Sequence, residues 1–164
     1  MQDTYAECMV KHRSTVLDII CQFLLVILAA VLVSLVVIFV KGIGALLAVL
    51  IIYGAYYLIT SRFLEYEYIF TNGDLDVDKI INRKKRERLI TVKSDEIEKF
   101  ALYNPNEHIN GNYQTKIFAA ENDKDPQNMC LVVHSKKKGK TLIVFSPNEK
   151  ISEAIKKFAP KAVL

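Results

Sequence analysis

The sequence predicts an α+β membrane protein, in which a transmembrane helical hairpin is followed by a small β-barrel or β-sandwich with a C-terminal amphipathic helix. Three observations support this fold class. Residues 16–60 are almost entirely apolar, residues 65–145 contain short runs that alternate between apolar and polar side chains, and the last segment has an apolar stripe with helical spacing. The length of 164 residues suits one small domain and an anchor, and the formal net charge is +4.

The two predicted membrane spans are separated only by Lys41 and its neighbours. The first uncharged run, Ile19–Val40, is long enough at 1.5 Å per residue to cross a hydrocarbon core about 30 Å thick. The second uncharged run, Gly42–Ile59, is shorter. The first run is too long for the apolar core of a signal peptide, and the rest of the chain is too small to bury two such helices. We therefore expect an antiparallel hairpin with spans at about 16–40 and 42–60.

The basic residues near the spans predict the orientation. Lys11 and Arg13 precede the first span and Arg62 follows the second, whereas the tip of the hairpin carries Lys41 alone. Positive residues favour the cytoplasmic side, so we expect a protein of the cell membrane with two spans and both termini in the cytoplasm. The predicted division is an N-terminal cytoplasmic segment at 1–15, the hairpin at 16–60 and a β domain at 63–164.

Small residues in both spans indicate a helix-packing seam. Ala30 and Ser34 are four positions apart in the first span, as are Gly44 and Ala48 in the second. Small side chains let helices approach closely in lipid. They belong either to the packing of a tight hairpin or to an interface with a second copy or a partner protein. Because neither span has an ionisable residue at its centre, we expect an anchor and no ion pathway.

Seven β-strands are predicted after Arg62, where the apolar period changes to two. They are Glu65–Thr71, Asp74–Ile80, Arg88–Val92, Ile97–Tyr103, Lys116–Ala120, Met129–Ser135 and Thr141–Phe145. Asn72-Gly73 between the first two indicates a tight hairpin, because both residues tolerate positive φ. The polar stretches Asn104–Tyr113 and Glu121–Asn128 are predicted loops, and the strands are expected in meander order.

A helix is predicted at about 147–159. Ser146 and Glu149 have the spacing of a capping box, and Pro147 occupies the first helical position. Its apolar stripe consists of Ile151, Ala154, Ile155 and Phe158. The stripe implies that the helix packs against the sheet.

The segment Tyr66–Tyr103 and the closing SPNEKISEAIKKF resemble the bacterial pleckstrin-homology-like (PH-like) domains found beside paired membrane spans. The matching positions are Tyr68, Thr71 and Leu75 in the first hairpin and Ile97 and Phe100 in a later strand. Better-known members have a proline where Val92-Lys93-Ser94 stands. The resemblance implies a PH-like barrel and membership of an uncharacterised family of small membrane proteins; a shared fold does not confer a function.

No pattern typical of catalysis, cofactor binding or metal binding is present in the sequence. It has no Gly-rich phosphate loop, no His-Glu-x-x-His pair and no nucleophile elbow. His12, His108 and His134 are isolated, and Cys130 alternates with apolar strand residues as a small hydrophobe does. The three cysteines, odd in number and widely spaced, indicate no disulfide framework. We therefore expect a protein that is not an enzyme and has no cofactor.

Two basic runs at predicted turns are candidate contacts with anionic lipid. They are Arg83, Lys84, Lys85, Arg86 and Arg88, and Lys136, Lys137, Lys138 and Lys140. Such residues either solubilise hairpin tips or bind lipid headgroups, with about 1 kcal/mol for each residue. Neither run has interleaved aromatic residues, so no nucleic acid is expected. The PH-like resemblance implies that the two turns lie at opposite ends of the barrel.

The first predicted hairpin is acidic. Asp74, Asp76 and Asp78 share one face of a strand, which we interpret as a solvated face, paired with the basic turn, and not as a calcium site. In eukaryotic PH domains that bind phosphoinositides, the first hairpin turn is long and basic. The short turn at Asn72-Gly73 therefore does not support specific phosphoinositide recognition.

Three functional hypotheses follow. The first is a non-enzymatic, membrane-anchored PH-like binding or scaffold module on the cytoplasmic face. The second is an accessory subunit of a larger membrane complex, for transport or envelope maintenance. The third is a small membrane enzyme that uses His108, His134 or Cys130. The expected partners are the lipid bilayer and either another protein or a second copy of the chain.

Overall fold

The computed structural model describes residues 4–108, 111–135 and 138–163. The chain divides into two compact units. The helical unit is Arg13–Phe63. The strand unit combines the segment up to His12 with the segment from Leu64 onwards.

The helical unit contains α1, Val16–Phe39, and α2, Gly44–Thr60. With 24 residues and high hydropathy, α1 is long and apolar enough to cross a membrane, whereas α2 is apolar but has 17 residues. The carboxylate of Asp18, which accepts a hydrogen bond from the backbone N–H of Thr15, caps the start of α1. Gly42 lies in the intervening turn at φ 87°, a conformation that favours glycine.

The strand unit is built from two four-stranded sheets. The first sheet contains β1 (Tyr5–Lys11), β2 (Leu64–Thr71), β3 (Asp74–Ile81) and β4 (Lys85–Lys93), in that order. The second contains β5 (Ile97–Leu102), β6 (Thr115–Ala119), β7 (Met129–Ser135) and β8 (Gly139–Phe145), in the order β5-β7-β8-β6. Each of the seven predicted strands has a counterpart here.

The predicted N-terminal segment contains a strand that the sequence did not reveal. β1 pairs antiparallel with β2 over its whole length, from Tyr5 opposite Thr71 to Lys11 opposite Glu65. Its residues alternate weakly, and its partner lies beyond both apolar helices, so no local pattern marked it. The whole helical unit is therefore inserted between two neighbouring strands of one sheet.

One prediction about the sheets is wrong. The strands do not follow a meander throughout, because β6 pairs in parallel with β8 and lies at the edge of the second sheet. This difference arises because the chain leaves β5 through a segment that includes the short helix α3, Pro105–His108, and then joins the sheet at its far edge. Of the two predicted architectures, a barrel or a sandwich, the described strands form two separate sheets and no closed barrel.

The hydrophobic core lies between the two sheets and under α4, Glu149–Phe158. The largest fully buried side chains of this core are Tyr68, Phe70, Phe100, Phe145, Leu75 and Leu131. Three of the four predicted stripe residues of α4, Ile151, Ala154 and Ile155, are buried as expected.

The predicted start of this helix is wrong by two residues. Asn148 caps it and accepts a hydrogen bond from the N–H of Ile151 at 2.9 Å. Ser146, the predicted cap, instead donates to the side chain of the buried Asn128 at 2.7 Å. The hydroxyl of Ser146 therefore bonds to the buried Asn128 and does not cap the helix in the way that the local pattern predicted.

Candidate functional site

The first basic run lies at the end of the sheet from which the chain leaves for the helical unit. Ile81, the last residue of β3, pairs with Leu64, the first residue of β2. The backbone N–H of His12 donates to the carbonyl of Leu64 at 3.0 Å. The turn after Ile81 contains Arg83 at φ 54° and leads directly into Lys85. The chain leaves the strand unit after His12 and returns at Leu64. Both points lie at the same end of the first sheet as the turn after Ile81.

Two arginines of this run form ion pairs with carboxylates on the outer face of the first sheet. Arg88 binds Asp78, which is 1% exposed, and also lies 2.6 Å from Asp76. The hydrogen bond with Asp78 is the main cause that raises the pKa of Arg88. Arg86 lies 2.5 Å from the buried carboxylate of Glu67. These arginines neutralise acids that the sheet removes from water, which is a structural role.

The other residues of the run are more available to a ligand. Arg83 is largely exposed, although its guanidinium lies 3.1 Å from Glu65. Lys84 and Lys85 are exposed, and within the described parts of the chain neither is in an ion pair with a carboxylate. The candidate lipid-contacting cations of this run are therefore reduced to Arg83 and Lys84 in the turn and Lys85 at the start of β4, which together we call the basic turn.

In the second basic run, one described lysine contacts β4. Lys136 and Lys137 are outside the described residues. Lys138 donates from Nζ to the carbonyl of Leu89 at 2.6 Å, and Lys140 lies 3.7 Å from Glu98. Lys138 therefore contacts the middle of β4, and the expectation that the two basic turns lie at opposite ends stays a prediction. A groove of about 410 Å³ is lined by residues of β4 together with Ser135 and Lys138.

The acidic residues of β3 are partly as expected. Asp76 and Asp78 pair with Arg88, whereas Asp74 is exposed. The predicted pairing with basic residues is present, but Asp78 is buried and not solvated. Across the described residues, no group of histidine, cysteine, aspartate and glutamate side chains is arranged to hold a metal ion.

The first predicted hairpin turn is packed against the end of α4. Asn72 and Gly73 take positive φ, 49° and 103°, as the Asn-Gly pair predicts. The hydroxyl of Ser94 donates to the carbonyl of Gly73 at 2.5 Å, and a Cβ on Gly73 would lie 3.3 Å from the ring of Phe158. These contacts leave little room for a ligand at this turn.

The structure brings together two residues that the sequence left apart. The Sγ of Cys130 lies 3.5 Å from Nε2 of His108, and the other ring nitrogen of His108 lies 2.8 Å from the hydroxyl of Tyr113. Burial raises the pKa of Cys130 and lowers the pKa of His108, so the pair is a neutral thiol and a neutral imidazole. A catalytic cysteine needs the reactive thiolate, and this environment opposes its formation.

The remaining histidines lie elsewhere. His134 is exposed on β7, with Nδ1 3.9 Å from Glu98. The ring nitrogen Nδ1 of His12 lies 3.0 Å from the carbonyl of Ala120. His134 therefore lies apart from the pair of His108 and Cys130, and the hypothesis of a small enzyme with a cleft near any one of these residues stays a prediction.

The four small residues of the predicted seam have different environments. Gly44 and Ala48 are buried, and a Cβ on Gly44 would lie 3.0 Å from the carbonyl oxygen of Val36 on α1. Ala30 and Ser34 are exposed, and the hydroxyl of Ser34 donates to the carbonyl of Ala30 at 2.9 Å. Only the pair on α2 therefore takes part in the packing of the hairpin.

A family model described as a bacterial PH-like domain (DUF6106) matches residues 2–164, which includes α1, α2 and β1–β8. This match confirms the resemblance found in the sequence. No curated protein and no solved structure matches the chain.

Proposed function

The chain belongs to the family of bacterial PH-like domains DUF6106, and from that premise we propose that it is a non-enzymatic binding or scaffold module anchored in the membrane by two helices. The proposal has two parts, the anchor and the surface that the anchored module presents to lipid. The observation that carries the first part is the pairing of β1 with β2 across the inserted helical unit.

The pairing of β1 with β2 supports two membrane crossings. β1 precedes α1 and β2 follows α2, yet both strands belong to the same folded sheet. A folded sheet lies on one side of a bilayer, so a crossing by α1 requires a return by α2. The 17 residues of α2 extend about 26 Å, and local thinning of a core about 30 Å thick accommodates such a mismatch at modest cost.

The distribution of charges supports a cytoplasmic strand unit. Lys11, Arg13 and Arg62 lie beside the ends of the helices that join the strand unit, and Lys41 lies at the hairpin tip. Cytoplasmic loops carry the excess of lysine and arginine in membrane proteins. We therefore place both termini in the cytoplasm and the tip on the outer side.

Site-directed labelling of intact cells tests this topology. The native cysteines are first replaced by serine. The variant Lys41→Cys should then react with a membrane-impermeant maleimide. The variant Lys161→Cys, whose substitution lies in the strand unit, should react only after the cells are opened. Reaction of the Lys161 position in intact cells would refute the cytoplasmic placement.

The basic turn supports contact with anionic lipid. Arg83–Lys85 lie at the edge of the strand unit that leads into the helices, and only Ser61–Phe63 join α2 to β2. Such a short connection tethers the strand unit to the membrane, so its exposed cations are available to the headgroups. Each cation at an anionic surface contributes about 1 kcal/mol, so Lys84 and Lys85 together should contribute about 2 kcal/mol.

Replacing Lys84 and Lys85 by glutamine should weaken binding to anionic vesicles about 30-fold. The assay uses a chain in which a glycine-serine linker replaces residues 13–63 and joins β1 to β2, with its fold checked by circular dichroism. Binding to phosphatidylglycerol vesicles, compared with phosphatidylcholine vesicles, is measured by sedimentation. The matched control replaces Lys156 and Lys157, which are exposed on α4, and should retain full binding. Equal losses in the two variants would show a general charge effect and contradict a specific surface.

A second candidate function, an accessory subunit of a larger membrane complex, is favoured by Ala30 and Ser34. These small residues are exposed on α1 and are not used in packing against α2. Small residues on a free helix face suit close contact with another helix in lipid. Native sizing in mild detergent should then show an assembly larger than the monomer, which Ala30→Leu reduces; a monomeric native protein would exclude this candidate.

A further inference from the structure

The outer face of the second sheet is covered by a segment of the same chain. We call residues 103–108 and 111–114, between β5 and β6, the cover segment. The face beneath it contributes four buried side chains, Cys130, Val132, Leu142 and Val144, and the rings of Tyr103 and Tyr113 pack against them. This small core is separate from the main core between the sheets.

His108 is the most buried titratable residue of the cover segment. It is 4% exposed, and its ring stacks on Tyr103 with centroids 5.8 Å apart and an interplanar angle of 12°. Both ring nitrogens have neighbours: Nδ1 lies 2.8 Å from the hydroxyl of Tyr113, and Nε2 lies 3.5 Å from Sγ of Cys130. A neutral imidazole suits this position, because one nitrogen donates and the other accepts, and the thiol of Cys130 also donates to the carbonyl of Leu102 at 3.8 Å.

A protonated ring does not suit this position. A charge on the ring would be removed from water, since the side chain is 4% exposed and both ring nitrogens face neutral groups, the hydroxyl of Tyr113 and the thiol of Cys130. Burial is the largest cause that lowers the pKa of His108, and the nearby ammonium groups of Lys99 and Lys116 act in the same direction. Glu107 opposes them, but its carboxylate also lies 3.7 Å from Nζ of Lys99.

We propose that His108 is a pH-sensitive latch, whose protonation releases the cover segment from the second sheet and exposes the thiol of Cys130. The latch is independent of lipid binding, because it involves the second sheet and not the basic turn. Its open state exposes Cys130 together with the apolar side chains of β7 and β8 that the cover segment otherwise hides.

The pH range of the switch follows from the direction of the shift. In the open state the ring titrates near the usual value of 6.5, and in the closed state its pKa is lower. Above 6.5 the ring is neutral in both states, so the closed state keeps its full stability. As the pH falls below 6.5, the open state takes up a proton and the closed state does not. Each pH unit therefore lowers the ratio of closed to open molecules by up to about tenfold.

Thiol reactivity of the full chain in detergent tests the latch. With Cys8→Ser and Cys21→Ser, Cys130 is the only thiol, and its rate with a dithiodipyridine reagent is divided by the rate of a peptide of residues 127–133 at the same pH. The peptide corrects for the intrinsic reactivity of the thiol. The ratio should be constant above pH 6.5 and rise by up to about tenfold for each pH unit below it. A ratio that is constant across this range would overturn the proposal.

The control variant is His108→Gln, which retains polar groups but does not titrate. Its ratio should not change with pH, and a rise equal to that of the parent chain would also overturn the proposal. Hydrogen exchange of the unmodified chain gives a second measurement that does not depend on a variant. Peptides over 103–108 should lose protection below pH 6.5 while peptides over 64–81 keep it; loss in both would indicate global unfolding and no latch.

Discussion

Replacing Phe145 by alanine is expected to lower the free energy of unfolding of the strand unit by about 3–5 kcal/mol. Phe145 ends β8 and is fully buried in the core between the two sheets. Its ring meets the ring of Tyr68 edge to face with centroids 5.4 Å apart, and that of Phe100 at 6.3 Å. The substitution therefore removes the side chain that connects aromatic residues of both sheets and leaves a cavity.

Urea unfolding of the full chain in detergent, followed by near-ultraviolet circular dichroism of the tyrosines, measures this loss. The matched control is Phe118→Ala on β6, whose side chain is 40% exposed. Its cost should stay below about 1 kcal/mol, as for most surface substitutions. Equal costs for the two variants would mean that the core does not lie between the sheets as described.

Replacing Ala6 by aspartate is expected to cost about 2–4 kcal/mol, because it places an unpaired polar group in an apolar core. Ala6 lies on β1, is 6% exposed and pairs with Phe70 of β2. It belongs to the same core as Tyr68 and Leu75. The substitution therefore tests whether the first strand is an integral part of the sheet.

The control for Ala6→Asp is Glu7→Gln at the next position. Glu7 points away from the core and is exposed, so its change should stay within about 0.5 kcal/mol. The same unfolding measurement applies to both variants. If Ala6→Asp were as mild as Glu7→Gln, β1 would be a dispensable extension and the argument for two crossings would lose its basis.

Local patterns predicted most of the individual elements. The alternation of Tyr66, Tyr68 and Phe70 identified β2, and Asn72-Gly73 identified its hairpin, because both signals act between neighbours in sequence. The apolar stripe of α4 is of the same kind. The positions of β1 and β6 could not be predicted in this way, since each pairs with a strand that its own sequence does not specify.

The candidate site shows the same division. A run of cations is visible in the sequence, but its residues look alike until the register places Arg88 opposite Asp78 and leaves Lys84 in the turn and Lys85 at the first position of β4. His108 and Cys130 are 22 residues apart, and only the path of the cover segment across the second sheet joins them. Only tertiary contacts show which residues are used within the fold and which are exposed to a ligand, and neither spacing nor composition predicts those contacts.

The insertion of the helical unit between β1 and β2 has a consequence for biosynthesis. The ribosome delivers β1 first, and β1 has no partner until both helices and then β2 have been made. The hairpin, whose ends are joined by the ion pair of Asp18 and Arg62 at 3.3 Å, brings the two strands together at a lower entropic cost than an open loop of the same length. Until that closure, the edge of β2 is open to the first strand of a neighbouring nascent copy. We therefore expect high expression to produce exchanged dimers, in which each copy supplies the other's first strand.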